Sequence, residues 1–119
     1  MTVTRYQRFM PNGIPRYVRI WDNGGRTADR YTAVFTRAHC FGMQGYVVGR
    51  RMSENPYHPQ GVGMWFEYRI WEWGGRGLGR RMRYEDCPLM VQRSIAEDYC
   101  YLWSIAPAKQ RPPRRTDHA

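Results

Sequence analysis

From Met64 to Trp73 the chain alternates with a period of two, Met64, Phe66, Tyr68 and Ile70 falling on one side and Trp65, Glu67, Arg69, Trp71 and Trp73 on the other. Only a β-strand sends successive side chains to opposite faces, so this run specifies a strand with bulk on both. The first set is expected to meet the core. The second leaves three tryptophans beside an acid and a base, on a surface that another element covers or that serves for contact.

The same period recurs elsewhere. Val18 and Ile20 alternate with Tyr17, Arg19 and Trp21, which predicts a half-buried strand from Ile14 to Trp21. Asp22-Asn23-Gly24-Gly25 tolerates positive φ and Tyr31 to Thr36 is β-branched and aromatic, so a hairpin or longer β-loop joins these two runs. Gly42 and Gly45 bracket a turn before a third strand, Tyr46 to Met52, and the glycine-rich Gly74 to Gly79 precedes a short charged edge strand, Arg80 to Tyr84. The period then lengthens. Val91, Ile95, Tyr99 and Leu102 recur at spacings of three to four, which predicts a helix from about Cys87 to Trp103 with one apolar face. Glu85, Asp86 and Pro88 suit its start, because carboxylates favour the positive end of the helix dipole and proline fits the first turn.

These elements predict an α+β fold: an antiparallel sheet of four or five strands with one C-terminal helix packed on it. A chain of 119 residues with 42% hydrophobic content holds one domain. Its expected limits are 14–105, between an N-terminal arm, 1–13, and a basic Pro/Arg tail, 106–119, whose Lys109-Gln110-Arg111-Pro112-Pro113-Arg114-Arg115 cannot build a core. No internal repeat is present.

The formal charge of +9 draws the protein toward polyanions, either nucleic acid or an acidic host protein complex. Arginine supplies 18 of the 19 basic side chains, Lys109 being the exception. A guanidinium offers a planar fork suited to phosphate, carboxylate and aromatic faces, although GC-rich coding DNA produces the same bias without selection on binding. Cys40, Cys87 and Cys100 are odd in number and lack zinc spacing, which points to a reducing compartment, with Cys87 and Cys100 as packing residues. Neither an apolar leader nor a membrane-length run is seen, so the expected location is the cytoplasm of a host cell.

Several segments together, Ile14-Pro15-Arg16-Tyr17-Val18-Arg19, Asp22-Asn23-Gly24-Gly25, Asp29-Arg30-Tyr31-Thr32, Met52-Ser53-Glu54-Asn55-Pro56 through Gly61, Tyr84-Glu85-Asp86, Asp98-Tyr99 and Leu102-Trp103, resemble small proteins carried by phages and other mobile elements. The resemblance spans roughly residues 14 to 103 and departs from the pattern in the Trp/Arg-rich stretch Met64 to Arg83. It implies no particular activity, and suggests an accessory binder acting on host or defence machinery.

Two constellations stand out as candidate sites. Arg50, Arg51, Arg80, Arg81 and Arg83 fall on neighbouring strands if the sheet is a simple meander, giving with Arg69, Trp65 and Trp71 a basic face that holds nucleic acid by stacking and phosphate pairing. The second is the loop after the third strand, where Pro56 and Pro59 stiffen a backbone displaying Ser53, Asn55, Tyr57, His58 and Gln60. That loop either shapes specificity or is a rigid connector. The expected function is a non-enzymatic binder of nucleic acid or of a nucleic-acid-containing host complex. One alternative is an inhibitor docking on a host defence protein, and another a small hydrolase or transferase using His58 with Glu54 or Glu67. Gly74 to Arg81 lacks the Lys-Ser/Thr ending of a phosphate loop, His39 and His118 lack ligand partners, and neither metal nor cofactor is expected.

Overall fold

The computed structural model describes residues 10, 12–39, 45–69 and 77–105. It contains one antiparallel sheet of β1 (Val18–Asp22), β2 (Tyr31–His39), β3 (Val47–Met52), β4 (Gly63–Tyr68) and β5 (Arg80–Met82), followed by a 3-10 turn (Tyr84–Asp86) and a single helix, α1 (Leu89–Ile105). The arrangement is α+β, as the periodicities predict. Residues 70–76, with the outer part of the predicted fourth strand, lie outside the described residues, as do Cys40, the arm up to residue 9 and the tail.

The strand order is β4-β3-β2-β1-β5. The first four strands form a meander, but β5 crosses to the far edge and pairs with β1, Ile20 opposite Met82 and Trp21 opposite Arg81. The cause lies in β1 itself: Ile20 and Trp21 are neighbours, point to opposite faces and are both buried, at 2% and 3% exposure. A strand apolar on both sides belongs in a sheet interior, with a hydrogen-bonded partner on each edge.

The first strand starts later than its alternation suggests. Pro15 has no N–H for a ladder, and Tyr17 adopts a left-handed backbone, φ 61°. Two bonds hold that strained residue, since Thr36 donates both its amide (2.8 Å) and its hydroxyl (3.0 Å) to the Tyr17 carbonyl. At the other end of β1 the Asp22 carboxylate accepts the amide of Gly24 and the Asn23 carboxamide oxygen accepts those of Gly25 and Arg26, so the turn is closed by side chains as well as by glycine.

The helix packs on one sheet face. Val91, Ile95, Tyr99, Cys100 and Trp103 meet Ile20, Tyr31, Ala33, Phe35 and Met52 in the main core, with Tyr99 and Trp103 edge to face at 5.9 Å. The predicted helical stripe is correct, and the helix runs two residues beyond its predicted end. The opposite, helix-free face carries a smaller core of Trp21, Val34, Val47 and Tyr68, against which Phe66 and Leu78 pack. The β3–β4 register places Phe66 beside Gly49, where any Cβ would collide with the Phe66 ring. Ile95 is fully buried between α1 and the sheet. Ile95→Ala is expected to cost about 2–5 kcal/mol of unfolding free energy, read as a lower urea midpoint at unchanged slope.

Candidate nucleic-acid interface

The register decides which side of the sheet each candidate residue occupies. Met64, Arg51, Thr32, Trp21 and Arg81 pair successively across all five strands and therefore share one row. Trp21 belongs to the smaller core, so this row lies on the helix-free face. The adjacent row on that face is Phe66, Gly49, Val34 and Arg19. Arg50 and Trp65, paired with each other, lie on the helix side.

Arg50 and Trp65 therefore do not join Arg51 and Arg81 on one surface. The Arg50 guanidinium lies 4.8 Å over the Trp65 ring, Trp65 leans on Phe35, and Arg50 Nε sits 3.0 Å from the Asp98 carboxylate of α1. The β5 crossover adds a second separation, since two strands intervene between β3 and β5. The single Arg/Trp face that a simple meander gives is thus corrected: adjacent residues of one strand oppose one another, and β3 and β5 are not neighbours. Arg69 stacks on Tyr46 at 5.1 Å. Arg80 flanks the Asp22 end of β1, and the exposed Arg83 faces Glu85 at 3.6 Å and Asp86 at 3.5 Å. Trp71 lies outside the described residues.

On the helix-free face a different basic surface is assembled. The Arg81 guanidinium lies 5.3 Å over Trp21, and that of Arg51 lies 5.2 Å over Phe66. Stacking fixes the planes and leaves N–H edges for an acceptor. Arg19 and Arg81 have no carboxylate at ion-pair distance among the described residues, and Arg51 reaches only Asp29, at 3.7 Å. Of the other described acids, Glu67 is in the helix-side row of β4, Glu97 and Asp98 are on α1, Glu85 and Asp86 face Arg83, and Asp22 and Glu54 are both taken by Arg30, at 2.7 and 2.8 Å. Sequence spacing could not reveal Arg19 as part of this surface, because its place beside Arg81 arises from the β1–β5 pairing.

The Pro/His loop is built as a brace. Ser53 Oγ accepts the Val62 amide at 2.9 Å, Asn55 Oδ1 accepts that of Tyr57 at 3.0 Å, and His58 Nδ1 accepts that of Gln60 at 3.1 Å. Gly61 must remain glycine here, since a Cβ would strike the Asn55 carbonyl oxygen. Tyr57 ties the loop to the helix: its hydroxyl donates to Glu97 at 2.7 Å, and its ring lies under Arg93. Burial, together with that carboxylate, raises the Tyr57 phenol well above its ordinary range, so it stays a donor. Glu54 anchors the other end on Arg30. The imidazole of His58, the hydroxyl of Ser53 and the carboxylate of Glu54 thus all have structural partners. A cavity of about 440 Å3 lies between this loop and residues 25–30.

Among the described residues no cluster of His, Cys, Asp or Glu could hold a metal ion, and no helix is long and apolar enough to cross a membrane. Cys87 and Cys100 are buried free thiols, and burial pushes Cys87 up to about 11, which keeps it protonated and unreactive.

Asp98 is the buried acid with the largest consequence. Its contact with Arg50 is close but poorly aligned, leaving Asp98 Oδ2 and Arg50 Nε without a hydrogen bond. Desolvation dominates and lifts the carboxyl from 3.8 to about 6, against the opposing pull of Arg50 and with a small addition from Glu97. Across that window the native state holds a proton that the unfolded chain releases, so this group's contribution falls as pH rises toward 6 and is regained on acidification. Asp22, held low chiefly by the Arg30 hydrogen bond, acts in the opposite sense. Asp98→Asn is therefore expected to lose more stability than wild type between about pH 6.5 and about pH 4.5, measured by urea unfolding at both values. Neither family models, nor curated proteins, nor solved structures give a match to this chain, so the candidate site rests on its own residues.

Proposed function

We propose that the protein is a non-enzymatic nucleic-acid binder that grips the phosphate backbone with the helix-free face of its sheet. One observation carries this reading: Arg19, Arg51 and Arg81 share a face on which, among the described residues, only Asp29 comes within ion-pair distance of any of them, while Glu67 and Asp98 belong to the helix side. Guanidinium groups spread over a sheet and facing, among the described residues, one carboxylate for three cations form a polyanion footprint. The aromatic rings beneath them are already covered, Trp21 by Arg81 and Phe66 by Arg51, so base stacking is secondary and sequence preference weak. The Pro/His loop acts as a brace between sheet and helix rather than as a reader of sequence.

The resemblance to mobile-element proteins accords with an accessory role of this kind inside a host cell. Docking on a host protein through an exposed apolar patch on β4 has less support, because Met64 and Trp65, exposed at 46% and 45%, project to opposite faces. Catalysis by His58 has less still, its Nδ1 and the Glu54 carboxylate being engaged within the fold.

Fluorescence anisotropy with a labelled single-stranded oligonucleotide at several salt concentrations tests the proposal. Arg19→Gln and Arg81→Gln are each expected to weaken binding and to reduce the slope of log affinity against log salt by about 0.7 per lost phosphate contact. Arg93→Gln, on the helix, is expected to leave that slope unchanged. No binding at low salt, or a slope indifferent to Arg19 and Arg81, would sink the reading.

A further inference from the structure

At one end of the basic face, next to Arg51 and Thr32, lies a cavity of about 320 Å3, walled by the β1–β2 loop, by β2 and β3, and by Gly77 and Leu78. This volume is at the lower end of the range for small-ligand sites. We infer that it receives the terminal phosphate monoester of a nucleic-acid strand lying on that face, an assignment that rests on the nucleic-acid reading above.

The donors in the wall match such a group. Arg26 lines the cavity from the loop tip and has no carboxylate at ion-pair distance among the described residues. Arg51 lines it from the sheet with its hydrogen-bonding capacity unfilled: Nε is buried without a partner, and Nη1 is 3.7 Å from Asp29, too long for a hydrogen bond. Thr27 accepts a hydrogen bond from Asn23 Nδ2 at 2.7 Å, which leaves its own hydroxyl proton to donate. Thr32, only 4% exposed, forms part of the wall behind them.

Two guanidinium forks and the Thr27 hydroxyl suit a dianion with three free oxygens better than a carboxylate, which has two oxygens and one charge. Asp29 also lines the cavity, and its carboxylate both opposes a bare anion and offers an acceptor to a sugar hydroxyl beside the phosphate. A phosphate carried on a sugar fits that mixture, and Leu78 gives the sugar an apolar wall. The loop holding Arg26 is rigid before any ligand arrives, since the Asn23 side chain binds the amides of Gly25 and Arg26 together with Thr27. The row Arg51–Thr32–Trp21–Arg81 runs across the face and two of its members, Arg51 and Thr32, line the cavity, so a strand laid along that row can bring an end to it.

Oligonucleotides identical except for a 5′-phosphate, a 3′-phosphate or hydroxyls at both ends provide the test. One phosphorylated end is expected to bind about tenfold tighter than the hydroxyl form, the scale of a charged hydrogen-bonded group. Arg26→Gln, an exposed loop variant, is expected to abolish that preference while retaining binding of the hydroxyl form, whereas Arg81→Gln weakens all three alike. Equal affinity of the three forms for the wild-type protein would overturn the inference, as would inorganic phosphate competing as well as the phosphorylated strand, which would make this a free-phosphate site. If no oligonucleotide binds, the broader reading has failed, and ribose 5-phosphate then separates the two. Saturable NMR shifts at Thr27 and Arg26, absent in Arg26→Gln, would retain a phosphate-monoester cavity, and no shifts would remove it.

Discussion

The adjacent residues Ile20 and Trp21 impose the constraint on which the rest of this molecule depends. They point to opposite faces of β1 and both are buried, so β1 cannot be an edge strand and both sides of the sheet must be apolar at its centre. The helix covers Ile20. On the other side Trp21 is sheltered by Tyr68, Leu78 and the Arg81 guanidinium, and Arg81 is delivered there because β5 completes the ladder on the open edge of β1. The crossover and the basic surface are thus one event: pairing that satisfies the backbone of β1 also places an arginine on its tryptophan.

Charge is divided between the two faces in an equally physical way. On the helix side Arg50 pairs with Asp98 and so ties α1 to the sheet, while Glu97, paired with Arg93 on the same helix, accepts from Tyr57 and ties the Pro/His loop to α1. Such burial has a cost, visible in the upward shift of Asp98, and the misaligned contact with Arg50 offsets only part of it. On the helix-free side Arg81 and Arg51 are held by stacking, with Arg51–Asp29 as the ion pair among the described residues there. A guanidinium over an aromatic ring covers apolar surface with its flat side while its N–H edges keep their capacity for another acceptor. The proposed interface therefore arises from a packing solution, and its charge is what remains after the acids have been spent on holding α1 and the loops.

The strands and the helix were legible in the sequence because both periods are local: a period of two in Val18–Trp21 and Met64–Tyr68, and spacings of three to four in Val91, Ile95 and Tyr99. Loop chemistry was legible too, since Asp22-Asn23-Gly24-Gly25 closes a turn with its own side chains. The candidate site was only partly so. Arg51 and Arg81 were visible as an arginine-rich pattern, but Arg50, next to Arg51, belongs to the other face. Arg19 and Arg26 gave no signal, being single arginines whose significance depends on residues far away in the chain.

Sequence by itself determined the α+β class, the apolar stripe of α1 and the overall basic character, each being a property of neighbouring residues or of composition. Tertiary structure alone decided which face of the sheet the helix covers, where β5 pairs, and hence which arginines keep their charge unneutralised. Alternation says that two sets of side chains point apart without saying which meets the helix, and strand order depends on backbone partners remote in the chain. Both are settled only when every apolar surface and ladder edge must be satisfied together.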